Sequence, residues 1–266
     1  MATKLAVQDV NKTFGGEGNV LTDVSFELEP GESVAIVGPS GAGKTTILRL
    51  ASGAIAPDAG RIEVGGTDLG SNDANGASDE TALVYQERSL IERRSALSNV
   101  LVGRLQEVGA LRGLIEPLIP LNPAPGYEAL EAVGIADEAE SRVDDMSAGQ
   151  RQRVSIARSL VQEADVLLAD EPTANLDPQT RDQVLEVLMD ATADRTLAAV
   201  LHDVELAVER FPRVIGVGDG TIAFDKDADD VTEEDLNDLF GVERPTPGEG
   251  DTDDDEDEIG RGCWDV

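Results

Sequence analysis

Lysine is nearly missing from this chain: Lys4, Lys12, Lys44 and Lys226 stand against seventeen arginines. With 21 basic and 54 acidic residues the formal net charge is -33. A surface of that sign disfavours DNA, RNA and anionic lipid, so a protein partner is expected and a nucleic acid is not. Acidity beyond what the terminal acidic run supplies is expected of a protein adapted to concentrated salt, which screens the self-repulsion. An ordinary acidic protein with an acidic tail is the alternative. Cys263 is the only cysteine, which excludes an intrachain disulfide and fits a reducing compartment. No stretch approaches the length of a membrane-spanning helix, and the N-terminus lacks the basic-then-apolar layout of a signal peptide. Any membrane this protein serves is then spanned by another chain.

A length of 266 residues with 40% hydrophobic content suffices for one sizeable core with a smaller subdomain attached. Short strands are predicted at 5–10, 24–28, 34–37, 61–64 and 82–85, with a helix at 45–51 that stops at Gly53. From Glu87 the apolar period becomes helical, and Pro117, Pro120, Pro123 and Pro125 interrupt it before a helix at 127–133. Helices at 150–162, 179–189 and 204–210 then alternate with strands at 166–169, 196–201 and 213–217, and a last helix covers 232–240. This alternation predicts an α/β fold with a largely parallel sheet covered on both faces, preceded by an N-terminal β region. The expected layout is a core of 1–86 and 155–240, an inserted helical subdomain at 87–154 and a self-repelling, disordered acidic tail at 241–266.

The segment Gly38, Pro39, Ser40, Gly41, Ala42, Gly43, Lys44, Thr45 matches the phosphate-loop pattern, with a predicted strand before it and a predicted helix after it. Its glycines let backbone N–H groups converge on phosphates, Lys44 reaches the terminal phosphates, and Thr45 offers a hydroxyl to Mg²⁺. Downstream, Val166 to Ala169 end in Asp170 and Glu171, two carboxylates at the sheet edge where ligands of such sheets sit. Asp170 is placed to hold Mg²⁺ through water, and Glu171 to polarise the water that attacks the terminal phosphate. Loop and carboxylates together imply Mg²⁺-dependent hydrolysis of a nucleoside triphosphate.

Between them lies Met146, Ser147, Ala148, Gly149, Gln150, Arg151, Gln152, directly before a predicted helix. Here the sequence resembles the ABC ATPase family, whose signature contacts ATP held by the opposite subunit. The resemblance extends from about Leu5 to Phe240 and assigns Ser147, Gly149 and Gln150 to a nucleotide bound in trans. Ala148 departs from the glycine usual there. The resemblance also implies that Phe14 lies against adenine and that Thr46 belongs to the phosphate loop. It matches Gln86 to the glutamine that senses Mg²⁺ and attacking water, Ala174 to Asp177 to the loop that crosses to the partner, and His202 to the histidine on the terminal phosphate. The resemblance further implies a P-loop NTPase core and a homodimer working with integral-membrane permease subunits at the cytoplasmic face of the membrane.

Arg88 to Leu105 and Leu201 to Phe224 are similar to the phosphonate-importer ATPases. That similarity implies a phosphonate or related phosphorus oxyanion as cargo and an extracytoplasmic substrate-binding protein as a further partner. An ATPase of an exporter or lipoprotein-release system would carry the same nucleotide motifs and stays open. A non-transport ABC protein is disfavoured by the charge, the single nucleotide domain and the absence of a long coiled-coil insertion or Cys/His cluster.

Overall fold

The computed structural model describes residues 4–15, 18–69, 80–84, 90–104 and 122–241. Gln86, Cys263 and the acidic run 251–258 lie outside them. The chain begins with β1 (Leu5–Thr13), β2 (Asn19–Leu28), β3 (Ser33–Val37), α1 (Lys44–Ala51), β4 (Ala59–Val64), β5 (Thr67–Asp68) and β6 (Thr81–Val84). Three helices follow, α2 (Ala96–Leu101), α3 (Ala124–Ala132) and α4 (Ala148–Leu160). The rest alternates: β7 (Val166–Asp170), α5 (Pro178–Ala191), β8 (Thr196–Val200), α6 (Val204–Arg210), β9 (Arg213–Gly218), β10 (Thr221–Asp227) and α7 (Glu233–Phe240).

Two sheets form. An antiparallel one has the order β2-β1-β4-β5, and a larger one the order β10-β9-β3-β8-β7-β6. In the larger sheet β9, β3, β8, β7 and β6 run parallel, and β10 returns antiparallel along β9. Its parallel strands read as continuous apolar runs because both faces are covered. Val34, Ile36, Leu168, Val200 and Val217 face one core with α1 and the antiparallel sheet. Ala35, Val37, Leu167, Ala199 and Val214 face the other core, which the remaining helices build. A period of two thus divides every strand between two cores.

The expected bounds of β1, β2, α3 and α4 need correction, and β10 adds a strand to the expected elements. β1 and β2 run well beyond 5–10 and 24–28, because Asp9 and Asp23 take φ of 49° and 50° where the register shifts. Such bulges break the apolar alternation while the pairing continues. α3 begins at Ala124 with Pro125 in its first turn, not at residue 127. Proline lacks only an N–H that a first turn leaves unused, so there it starts a helix instead of stopping one. α4 begins two residues before the expected start at 150, capped by Ser147, and it runs unbroken through the expected subdomain limit at residue 154. β10 was not expected as a strand: only Phe224 in it is buried, against Gly216, so it carries no apolar pattern.

Candidate functional site

The parallel strands β3, β7 and β8 deliver their ends to one edge of the sheet, and the polar residues gather there. After Val37 the chain turns at Gly38, whose φ is 150° and where a side chain would run into the Val217 carbonyl. Gly43, at φ 100°, packs so closely that a Cβ would lie 2.5 Å from Leu21 Cδ2. Only glycine meets both demands. The loop thereby points its N–H groups and the first turn of α1 into a cleft of about 340 Å³ lined by Phe14, Val20, Ser40, Gly41, Gly43, Lys44, Thr45, Thr46, Glu171 and His202. Val20 was not expected, since as one apolar residue in a strand it carries no motif.

Lys44 is buried, and its Nζ donates to the carbonyls of Gly38 and Pro39, both at 2.8 Å. Burial lowers its pKa, while the charges of Glu171 and Asp170 oppose that shift. The Thr45 hydroxyl donates to Asp170 Oδ1 at 3.1 Å. Burial raises the Asp170 pKa, the Thr45 hydrogen bond lowers it, and the neighbouring Glu171 charge raises it further. A hydroxyl and a carboxylate make an oxygen donor pair suited to a hard divalent cation. Among the described residues no group of three or more His, Cys, Asp or Glu could hold a metal ion. The pair fits Mg²⁺, which keeps phosphate oxygens and waters as its other ligands.

Glu171 stands at φ 51°, its N–H bound to the Val200 carbonyl at 3.1 Å. Left-handed backbone at a residue with a side chain costs about 1–3 kcal/mol, a strain found mostly where function demands it. Its Oε1 lies 2.5 Å from Nε2 of His202, which follows β8 and is half-exposed. Phe14 is exposed at the rim, with Lys12 Nζ 5.5 Å from its ring centroid. Lys12 in turn is paired with Asp58 at 2.8 Å.

Ser147, Gly149 and Gln150 lie elsewhere. They line a second, polar depression with Glu138, Arg153 and Thr180. Ser147 caps α4, its Oγ accepting from the Gln150 N–H at 3.2 Å while its own N–H donates to Gln150 Oε1 at 2.9 Å. Gln150 Nε2 donates to Glu138 Oε1 at 3.2 Å. No motif in the sequence distinguishes Glu138. Gly149 is pressed against α5, where a Cβ would lie 2.5 Å from Thr180 Cγ2. Ala148 is not among the residues of positive φ, so its methyl group is accommodated without backbone strain.

A third cleft, on the far side of the Glu171 and His202 pair, is lined by Thr173, Asn175, Leu176, Arg181 and Asp203. Asp177 caps α5 by accepting from the Thr180 N–H at 3.1 Å. The hydrogen bonds from Thr180 hold its carboxyl below the usual range. One chain therefore brings Lys44, Thr45, Asp170, Glu171 and His202 together and leaves Ser147 to Gln150 in a separate depression.

The sequence profile of the ABC transporter family matches residues 21–174. A phosphonates import ATP-binding protein of Rhodopseudomonas palustris is 37% identical over 260 residues, covering 95% of this chain and 96% of the relative. This chain belongs to the ABC transporter family. A phosphonates import ATP-binding protein of Halobacterium salinarum is 39% identical to this ABC chain, with 90% of the chain and 84% of the relative covered. That similarity to a protein of a salt-loving organism agrees with the acidic composition. Among solved structures, an ATP-binding cassette dimer in a post-hydrolysis state, bound to ADP and Pi, superposes with a TM-score of 0.70 at 28% identity. The match covers 84% of this chain and 98% of that one. The fold of this ABC chain is therefore that of the P-loop NTPase cassettes. Among the described residues no helix is long and apolar enough to cross a membrane.

Proposed function

We propose that this chain binds and hydrolyses ATP as the Mg²⁺-dependent motor subunit of an importer for phosphonate or a related phosphorus oxyanion. The observation that carries the reading is the division of the site: phosphate loop, carboxylates and histidine share one cleft, while the capped N-terminus of α4 faces a different one. Each half is incomplete for a triphosphate, and two copies arranged head to tail complete both. The similar cassette, a dimer bound to ADP and Pi, supports an assembly of two copies.

In the proposed reaction the loop N–H groups and the first turn of α1 hold the β- and γ-phosphates. Lys44, two of whose protons already serve loop carbonyls, directs the third at the terminal phosphate. Thr45 and Asp170 would hold Mg²⁺, which would neutralise negative charge on the phosphates. Glu171 takes the proton of the attacking water, and His202 orients the Glu171 carboxylate through their contact. Gln86 is assigned to the same water. Phe14 offers its exposed ring to adenine, and Asp177 lies in the segment that meets the partner copy.

Ser147, Gly149 and Gln150 of the second copy close over the γ-phosphate, and ATP favours the closed dimer because only that state makes both sets of contacts. The permease follows through the helical region. There the buried Asn99 clamps both the N–H and the C=O of Ile91, at 2.7 and 3.1 Å, and Ile91 itself stays exposed as a docking contact.

Glu171→Gln should retain ATP binding and lose at least about 100-fold in turnover. Turnover near wild type would remove Glu171 from the role of base. The cargo is tested on the soluble binding protein that co-purifies with the membrane complex. A bound phosphonate supports the importer reading, whereas an export-type permease without any binding protein contradicts it.

A further inference from the structure

His202 is held from two directions, by a side-chain contact and by the chain that follows it. On one side its Nε2 meets Glu171; on the other, the next residue is Asp203, which caps α6 through Oδ1 to the Leu206 N–H at 3.0 Å. The second oxygen of Asp203 leaves the helix it caps. It accepts from Arg181 Nη1 at 2.6 Å, and Arg181 belongs to α5. The first turn of α5 follows directly on the segment 174–177, and the Arg181 N–H itself donates to the Asp177 carbonyl at 2.9 Å.

Arg181 and Asp203 are each about two-thirds buried, and Arg181 Nε is buried with no hydrogen-bond partner. A guanidinium left partly unsatisfied to hold this one carboxylate is not explained by surface stability, because exposed pairs contribute little and buried ones must recover their desolvation. The pair lines the cleft behind Glu171 and His202 together with Thr173 to Leu176. It is a charged link between the first turn of α5 and the residue that follows His202.

We propose that Arg181 is a positioning residue: through Asp203 it fixes His202 against Glu171 and ties that position to the segment 174–177. The proposal rests on the reading of His202 as part of the hydrolytic site.

His202 is the only histidine in the chain, so an untagged protein gives a single imidazole spin system by NMR that reports its surroundings without assignment. Arg181→Leu removes the cation. Asp203→Asn keeps the cap, since asparagine is an equally good N-cap, and removes the charge; it also serves if Arg181→Leu does not fold. Each is expected to shift the imidazole resonances in the same direction and to lower kcat about 10-fold at unchanged nucleotide affinity. Arg181→Lys should return both readouts towards wild type, and Arg181→Leu with Asp203→Asn should lose no more than either alone.

Wild-type imidazole resonances in both single variants, or losses that add in the double variant, would overturn the proposal. Either result leaves wild-type turnover and its abolition by Glu171→Gln untouched. A failure of the underlying reading looks different, as a wild-type chain that does not hydrolyse ATP.

Discussion

Gly149 carries a constraint distinct from the usual freedom of glycine. Its place is inside the first turn of α4, where alanine has the better helix propensity by about 1 kcal/mol, yet a Cβ would lie 2.5 Å from Thr180 Cγ2. Overpacking of that kind costs about 1–3 kcal/mol. Gly149→Ala should therefore lower the unfolding free energy, and Thr180→Ser in the same chain, which deletes the offending methyl group, should recover most of the loss. A Gly149→Ala protein more stable than wild type in denaturant melts would show that close packing of α4 on α5 is not what requires glycine. At this scale the residues legible in the sequence are those in contiguous motifs: Lys44 with Thr45, Asp170 with Glu171, Ser147 with Gly149. Each motif is short because one turn must place its atoms around one anion or cation. Arg181 and Asp203 meet across 22 positions, and Glu138 reaches Gln150 across 12; neither contact has a local spacing rule to betray it.

Elements were legible where burial imposes a period and obscure where it does not. β8, with all five residues buried, and β7 announce themselves as apolar runs. β10 does not, because it pays for its place at the sheet edge with side-chain contacts instead of burial: Arg213 of β9 binds both oxygens of Asp225 at 2.6 Å. One residue on, Lys226 binds Asp235 of α7 at 2.7 Å. The hydrogen bond from Lys226, followed by those from the Thr232 hydroxyl and N–H, holds Asp235 at a pKa of about 2, below its ordinary 3.8. A carboxyl depressed in the folded state contributes stability that is fully present above about pH 4 and is lost as pH falls through about 2. Lys226→Ala should thus be less stable than wild type by a constant amount at neutral pH, and the difference should shrink as the pH is lowered from 4 to 2. Thermal melts across that range check it; a deficit that persists undiminished at pH 2 would mean that the lysine stabilises the edge by packing alone.

For the whole molecule the dominant quantity is the net charge of -33. Self-repulsion at that density opposes the compact state, and screening relieves it, with a Debye length of about 10 Å at 0.1 M salt and about 3 Å at 1 M. The unfolding midpoint should rise steeply from dilute buffer to molar KCl, and a midpoint independent of salt would contradict adaptation of this surface to concentrated salt. The same charge bears on assembly, because two copies this acidic repel each other and salt screens the repulsion. The central claim, that two copies share each nucleotide, is therefore tested by sedimentation of Glu171→Gln in concentrated salt. The expected result is a monomer without nucleotide and a dimer with ATP, returned to monomer by adding Ser147→Arg to the same chain while ATP stays bound. A Glu171→Gln protein that binds ATP and remains monomeric, or one that dimerises equally well with Ser147→Arg, would contradict the shared site.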